Sequence, residues 1–167
     1  MTPVLALVLS TAAVDARYFR RDRPGELEAG VAALEAGPAD AESLWRLCRA
    51  LVRRGERGGG AADFDRARKR CEDSVALSSA AADAHFWLGV ASARYGEAKG
   101  VLKSLALIKP IRAAMRRTLE LDPAHGGAHQ VLGQVLWKLP RLVGGDKTEA
   151  LAEFEEALRL SPRHTAN

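Results

Sequence analysis

Apolar residues recur three and four positions apart along most of this chain, and helix-breaking residues interrupt the pattern at even intervals. This periodicity predicts amphipathic helices. A regular spacing of about 40 residues between the breaks predicts an array of repeats rather than a single irregular core. The breaks are Gly37-Pro38, Ser78-Ser79, Asp122-Pro123 and Ser161-Pro162.

Three copies of a helical pair can be aligned between these breaks. The first helices of the copies begin with residues 42–48, 83–89 and 127–133. The second helices are predicted at residues 67–77, 111–121 and 150–160, and a half-repeat at residues 26–36 precedes the first copy. A single pair cannot bury its own apolar face, so about three pairs are needed for a stable array.

The last copy carries the most complete motif, and through it the chain resembles the tetratricopeptide repeat family. The resemblance implies an all-α, right-handed superhelical solenoid of antiparallel helix pairs. It covers about residues 25–162, with Cys48, Cys71 and Ser79 replacing the expected glycine, aromatic residue and proline in the first copy. The matching residues of the last copy are Leu132, Gly133, Leu136, Ala150, Phe154, Ala157 and Pro162.

The repeats are longer than usual, because each has an insert between its two helices. The inserts are residues 56–62, 97–109 and 139–146. We expect Gly58–Gly60 to form a flexible loop, residues 99–108 to form a helix of their own, and Pro110 to start the next helix. Asp146 is predicted to cap the last helix in a capping box with Glu149.

With its inserts and the segment LPRLVGGDKTEALAEFEEAL, the chain resembles a narrower group. It is similar to the tetratricopeptide component associated with TRAP transporters and to the regulator of microtubule dynamics group. The first resemblance implies a periplasmic protein that works beside a solute-binding protein.

The N-terminus has features of a secretory signal. Residues 4–9 are apolar, and Val14-Asp15-Ala16 fits a cleavage site, although no basic residue precedes the apolar run. We therefore expect a signal peptide at residues 1–16, a single helical domain at residues 17–162 and a short tail at residues 163–167. The alternative is an N-terminal helix that packs on the domain.

Cys48 and Cys71 are the only cysteines and occupy facing positions of the first helix pair in the alignment. They could form a disulfide if the protein is exported to an oxidising compartment. The alternative is two free thiols that serve as small core residues.

In this family the first helix of each pair is called helix A, and its residues that face the inner curve of the array form the ligand surface. The resemblance thus predicts an aromatic groove with a cationic wall, suited to a carboxylate or an acidic peptide. The alternative for the basic residues is a favourable cation at a helix C-terminus. The predicted groove consists of Trp45, Arg49, Arg53, Phe86, Val90, Arg94, Gln130, Gln134, Trp137 and Lys138.

Charge and candidate chemistry narrow the function classes. The net charge of +4 is small for a nucleic-acid-binding chain of 167 residues, so we expect no nucleic-acid partner. No catalytic constellation is present, His125 and His129 are interpreted as structural rather than metal-binding, and no cofactor is needed. The basic face of residues 99–116 could contact a membrane, but we favour an insert folded over its own repeat.

The sequence therefore predicts a non-catalytic, exported scaffold that binds a protein or an anionic ligand. The partner suggested by the narrower resemblance is a periplasmic solute-binding protein. The alternative is a cytoplasmic adaptor with the same fold, which assembles protein complexes.

Overall fold

The computed structural model describes residues 10–160, which form eight α-helices and no strand within that range. A kinked turn at Gly55–Gly59 precedes the fourth helix, and a 3-10 turn at Arg141–Val143 follows the seventh. The all-α repeat solenoid predicted from the sequence is confirmed. The helices are α1 Thr11–Phe19, α2 Glu26–Ala36, α3 Ala41–Arg54, α4 Gly60–Leu77, α5 Ala82–Lys99, α6 Val101–Leu121, α7 Gly126–Lys138 and α8 Lys147–Leu160.

The eight helices form four consecutive pairs. Each pair packs on the next, and the first helices also contact one another: α1 with α3, α3 with α5, and α5 with α7. These first helices therefore make the inner layer of the array, as helix A does in the family pattern. α1 occupies the helix A position of the first pair, so the predicted half-repeat at residues 26–36 is completed by residues of the predicted signal peptide.

Close packing within the last pair depends on Gly133 of α7. A Cβ atom at this position would lie 2.8 Å from the Cδ1 and Cε1 atoms of Phe154 on α8 and 3.1 Å from the Ala150 carbonyl oxygen. An aromatic ring confined in a packed interface cannot move away without displacing its neighbours. The Leu-Gly pair of the repeat motif thus lets α7 and α8 approach each other.

Substituting two helical glycines with alanine should change stability in opposite directions. Gly133→Ala should lower the free energy of unfolding by about 1 kcal/mol, because overpacking exceeds the gain in helix propensity. Gly30→Ala should raise it by about 0.5–1 kcal/mol, since its Cβ would lie 3.8 Å from the Arg17 Cβ in ordinary contact. Urea denaturation monitored by circular dichroism measures both. A similar change in the two variants would contradict the packing argument.

Two hydroxyl groups tie the end of a second helix to the start of its partner. Ser74 Oγ donates to the Ala41 carbonyl oxygen at 2.7 Å. Thr118 Oγ1 lies 2.9 Å from the Ala114 carbonyl oxygen and 3.5 Å from that of Ala82. Both side chains are completely buried, so these polar residues fit the repeat core because their hydroxyl groups are hydrogen-bonded.

The first two inserts differ from the predictions. Residues 55–59 form a kinked turn in which Gly58 has a φ of 127°, and α4 begins at Gly60 rather than at residue 67. The second insert is not a separate helix, because α6 runs through Pro110 to Leu121. A proline removes one helical hydrogen bond, and since Pro110 is exposed, water can bind the carbonyl that it leaves free.

The third insert contains half of the predicted capping box. Asp146 Oδ1 accepts hydrogen bonds from the backbone N–H groups of Thr148 and Glu149, and these two bonds lower the pKa of Asp146. The return bond is missing, because the Asp146 N–H donates to the Leu136 carbonyl oxygen and the Glu149 carboxylate lies 3.6 Å from Arg116. The predicted closing residue Pro162 and the tail at residues 163–167 lie outside the described residues.

Candidate binding site

The predicted groove is filled at its N-terminal end by α1. Arg49 NH2 donates to Asp15 at 2.5 Å, and its guanidinium lies 3.7 Å from the centre of the Tyr18 ring. Arg53 Nε donates to the Tyr18 hydroxyl oxygen at 3.1 Å. Trp45 and Arg49 are buried, so they do not form the open wall that the sequence analysis predicts. The physical reason is that α1 supplies a carboxylate and an aromatic ring from within the chain.

Two guanidinium groups at this end are held in their charged state. Burial alone would lower the pKa of Arg46, but its hydrogen bonds to Glu42 and Asp15 raise the pKa above the usual value. Burial also opposes the charge of Arg53, and the bonds to Tyr18 and Glu56 raise its pKa. Both arginines already form hydrogen bonds within the chain, so few of their N–H groups are left to bind an external anion.

The middle of the predicted groove is also partly occupied. Phe86 is half-buried, with its ring centre 4.4 Å from that of His125. Val90 is half-buried against the core around α3 and α4. Arg94 is exposed but bonds to Glu56 at 3.0 Å and to Glu97 at 3.1 Å. The structure therefore does not bring the three predicted aromatic residues onto one open surface.

The C-terminal part of the groove remains open. Gln134, Trp137 and Lys138 are exposed, and Gln130 is half-buried. Gln134 and Lys138 border a cleft of about 370 Å³ between α5, α6 and α7, whose exposed lining is mainly apolar. Trp137 lies outside this lining and stacks with Lys147, whose Nζ is 5.1 Å from the ring centre. The cleft is lined by Ala93, Glu97, Ser104, Leu105, Ile108, Ile111, Val131, Gln134, Val135, Lys138 and Leu139.

Sequence reasoning missed most of the apolar lining of this cleft. Leu105 and Ile108 come from the second insert, whose amphipathic pattern predicts an apolar face but not the cleft that it lines. Val131 and Val135 lie on α7 one turn apart, beside the predicted Gln130 and Gln134. The available signal was the helical spacing within each pair, three residues from Leu105 to Ile108 and four from Val131 to Val135.

His125 and His129 both make hydrogen bonds within the described part of the chain. His125 Nδ1 accepts a hydrogen bond from the Ala128 N–H and caps α7. His129 bonds to the Glu153 carboxylate at 2.5 Å and to the Pro123 carbonyl oxygen at 3.1 Å. Within residues 10–160, no group of three or more metal-ligating side chains is assembled.

Cys48 on α3 and Cys71 on α4 are joined by a disulfide, with a Cα–Cα distance of 5.5 Å. Both residues are fully buried. The bridge crosses the first complete pair of the aligned repeats, where the glycine and aromatic residues of the family motif are replaced.

The fold resembles solved structures of low sequence identity. A crystal structure of MamA superposes with a TM-score of 0.61 at 18% identity, covering 95% of this chain and 82% of that one. YrrB, described as a tetratricopeptide protein with an unusual peptide-binding site, gives a TM-score of 0.58 at 18% identity, covering 93% and 73%. At this identity the likeness shows the fold alone.

The sequence itself gives a family assignment. None of the curated proteins matches the chain. The family model of regulator of microtubule dynamics protein 1-3 matches residues 22–139, from the loop before α2 to the end of α7. This match includes the second insert and the whole cleft lining. The chain therefore belongs to the regulator of microtubule dynamics protein 1-3 family.

Proposed function

We propose that this protein is a non-catalytic scaffold that binds an apolar segment of a protein partner in the cleft between α5, α6 and α7. The observation that carries the proposal is an open, mainly apolar cleft of about 370 Å³. Exposed apolar concavities of this kind are typical of ligand and peptide sites.

The rim of the cleft indicates the polarity of the bound segment. Lys138 is exposed at the end of α7 and has no carboxylate partner among the described residues. Gln134, one turn earlier, can both donate and accept a hydrogen bond with a peptide backbone. The proposed ligand is therefore a peptide with two or more large apolar side chains and a carboxylate. YrrB, which has the same fold, is described as having a peptide-binding site.

A peptide-array experiment tests this assignment with a matched control. The purified protein is applied to a synthetic array of random peptides, and affinities for selected peptides are measured by fluorescence anisotropy. Leu105→Asp should weaken binding at least tenfold, because it places a charge in the apolar lining. Leu158→Asp should not, since Leu158 on α8 is equally exposed, at 50%, but lies outside the cleft.

Either of two outcomes would contradict the proposal. One is that the selected peptides lack apolar residues. The other is that Leu105→Asp and Leu158→Asp bind them equally well. Lys138→Glu isolates the polar contribution to binding. It should lower the affinity for peptides that contain a carboxylate and leave the affinity for their amidated forms unchanged.

We also propose that the scaffold works in an oxidising compartment, as the resemblance to the TRAP-associated component implies. The Cys48–Cys71 disulfide supports this proposal, because such bonds persist mainly in exported proteins. Alkylating free thiols in the native cells before lysis, followed by intact mass measurement, tests it. Two alkylated thiols would instead support the cytoplasmic adaptor.

The same mass spectrum tests the predicted cleavage after Ala16. Val14 is buried and Asp15 binds two arginines of α3, so cleavage there would remove contacts that the domain makes. We propose that α1 remains attached to the domain. A mature chain that begins at Arg17 would refute this.

A solute-binding protein as the partner is a separate proposal, which is tested by titrating that protein against the wild type and against Leu105→Asp.

A further inference from the structure

All four connections from a first to a second helix lie along one edge of the array, because the pairs are antiparallel and consecutive. We call it the junction edge: it comprises residues 19–25, 55–60, 99–103 and 139–146. Side-chain contacts link neighbouring connections. Arg57 in the second connection donates to the Arg21 carbonyl oxygen at 2.6 Å and pairs with Asp22 in the first. Arg94, near the third connection, donates to Glu56 in the second at 3.0 Å.

Apolar side chains project into solvent from three of these four connections. Phe19 is 75% exposed, Leu102 86% and Leu142 100%, and Val101 beside Leu102 is similarly exposed. α5 continues five residues beyond the position aligned with the end of α7, so the tip at Leu102 projects about 7 Å further. These side chains stand on separate projections and do not line a pocket.

The same edge carries cations that lack an internal counter-charge. Arg23, Lys99, Lys103 and Arg141 are exposed and have no carboxylate within ion-pair distance in the described part of the chain. Of the three acidic residues of the edge, Asp22 pairs with Arg57, and Glu56 pairs with Arg53 and Arg94. The third, Asp146, is exposed and caps α8 through the backbone N–H groups of Thr148 and Glu149. The junction edge therefore combines an excess of positive charge with isolated apolar tips.

We propose that the junction edge docks on the surface of an anionic membrane. The apolar tips enter the headgroup region, and the cations between them meet lipid phosphates and carboxylates. Side chains that project separately suit a fluid, flat surface better than a protein pocket, which requires a continuous complementary patch. The attachment is peripheral, since none of the helices within residues 10–160 has the length and apolar content of a membrane span.

This surface shares only residues 99–103 with the basic face of residues 99–116 that the sequence offers as a membrane contact. Two residues of that basic face, Arg112 and Arg116, contact Gly144 and Glu149 and are not free. The contact is instead assigned to the tip formed by Lys99, Lys103 and the apolar residues between them. The residues mutated below do not line the cleft between α5, α6 and α7, so this proposal and the peptide-binding proposal can fail separately.

Vesicle flotation tests the proposal with the intact protein. The wild type should float with vesicles of phosphatidylcholine and phosphatidylserine and much less with phosphatidylcholine alone. Lys99→Gln with Lys103→Gln should lower the partition coefficient about 30-fold, from about fivefold per cation. Leu102→Ser with Leu142→Ser should lower it about 100-fold, from about tenfold per side chain.

Control substitutions on other surfaces should leave flotation unchanged. Leu77→Ser removes a leucine that is 62% exposed at the opposite edge, where it is the last residue of α4. Lys69→Gln with Arg70→Gln removes two charges from the middle of α4. Absence of wild-type binding to the anionic vesicles, or an equal loss in the controls, would overturn the proposal. Binding to an acidic protein that requires the edge residues while vesicles do not bind would assign the edge to a protein partner instead.

Discussion

Replacing Asp15 by alanine should lower the free energy of unfolding by about 2–3 kcal/mol. Asp15 accepts hydrogen bonds from Arg49 NH2 at 2.5 Å and from Arg46 Nε at 3.1 Å. The Arg49 side chain is only 10% exposed, so its charge would remain buried after the substitution. Breaking a fully buried pair from one side costs about 3–5 kcal/mol, and we expect less here because Asp15 is itself 27% exposed.

Asp22→Ala is the matched control for this prediction. Asp22 also pairs with an arginine far along the sequence, Arg57, but its side chain is 77% exposed. Its loss should change the free energy of unfolding by less than about 0.5 kcal/mol. Both variants are measured by urea denaturation. If Asp15→Ala is as mild as the control, α1 does not pack on the domain in solution.

Most helices of the array could be predicted from the sequence, because they have a local apolar period and end at a breaker. The exception among the aligned repeats is α6, which the sequence predicts as two helices divided at Pro110. The pairing of α3 to α8 also followed, since the Leu-Gly pair and the small residues repeat at equivalent positions. α1 was different. Its contacts join Asp15 and Tyr18 to arginines more than 30 residues away, and no local pattern encodes such a contact. The apolar run before it therefore suggested a signal peptide.

The candidate site could be predicted only in part for the same reason. Of the helix A positions predicted in the last copy, Gln134 and Lys138 line the cleft. In the first copy the same positions are covered by Tyr18. The apolar face of the second insert was visible in the sequence, but continuity of α6 through Pro110 decides where Leu105 and Ile108 lie.

Replacing both Cys48 and Cys71 by alanine should lower the free energy of unfolding by about 3 kcal/mol. The disulfide links residues 23 positions apart, and a loop of that length restricts the unfolded chain by about this amount. The loop contains Gly58, Gly59 and Gly60, which increase the freedom of the reduced, unfolded chain. The folded pair should keep its geometry, because α3 and α4 also pack through Leu51 and Ala67.

Reduction of the wild type separates the effect of the bond from that of the lost sulfur atoms. Dithiothreitol should shift the wild-type urea midpoint most of the way to that of the double variant and should leave the double variant unchanged. Both sulfur positions are fully buried, so the small remaining difference measures the packing of two thiols against two methyl groups. If reduction leaves the wild-type midpoint where it was, the disulfide does not stabilise the first complete repeat, and packing between α3 and α4 is sufficient.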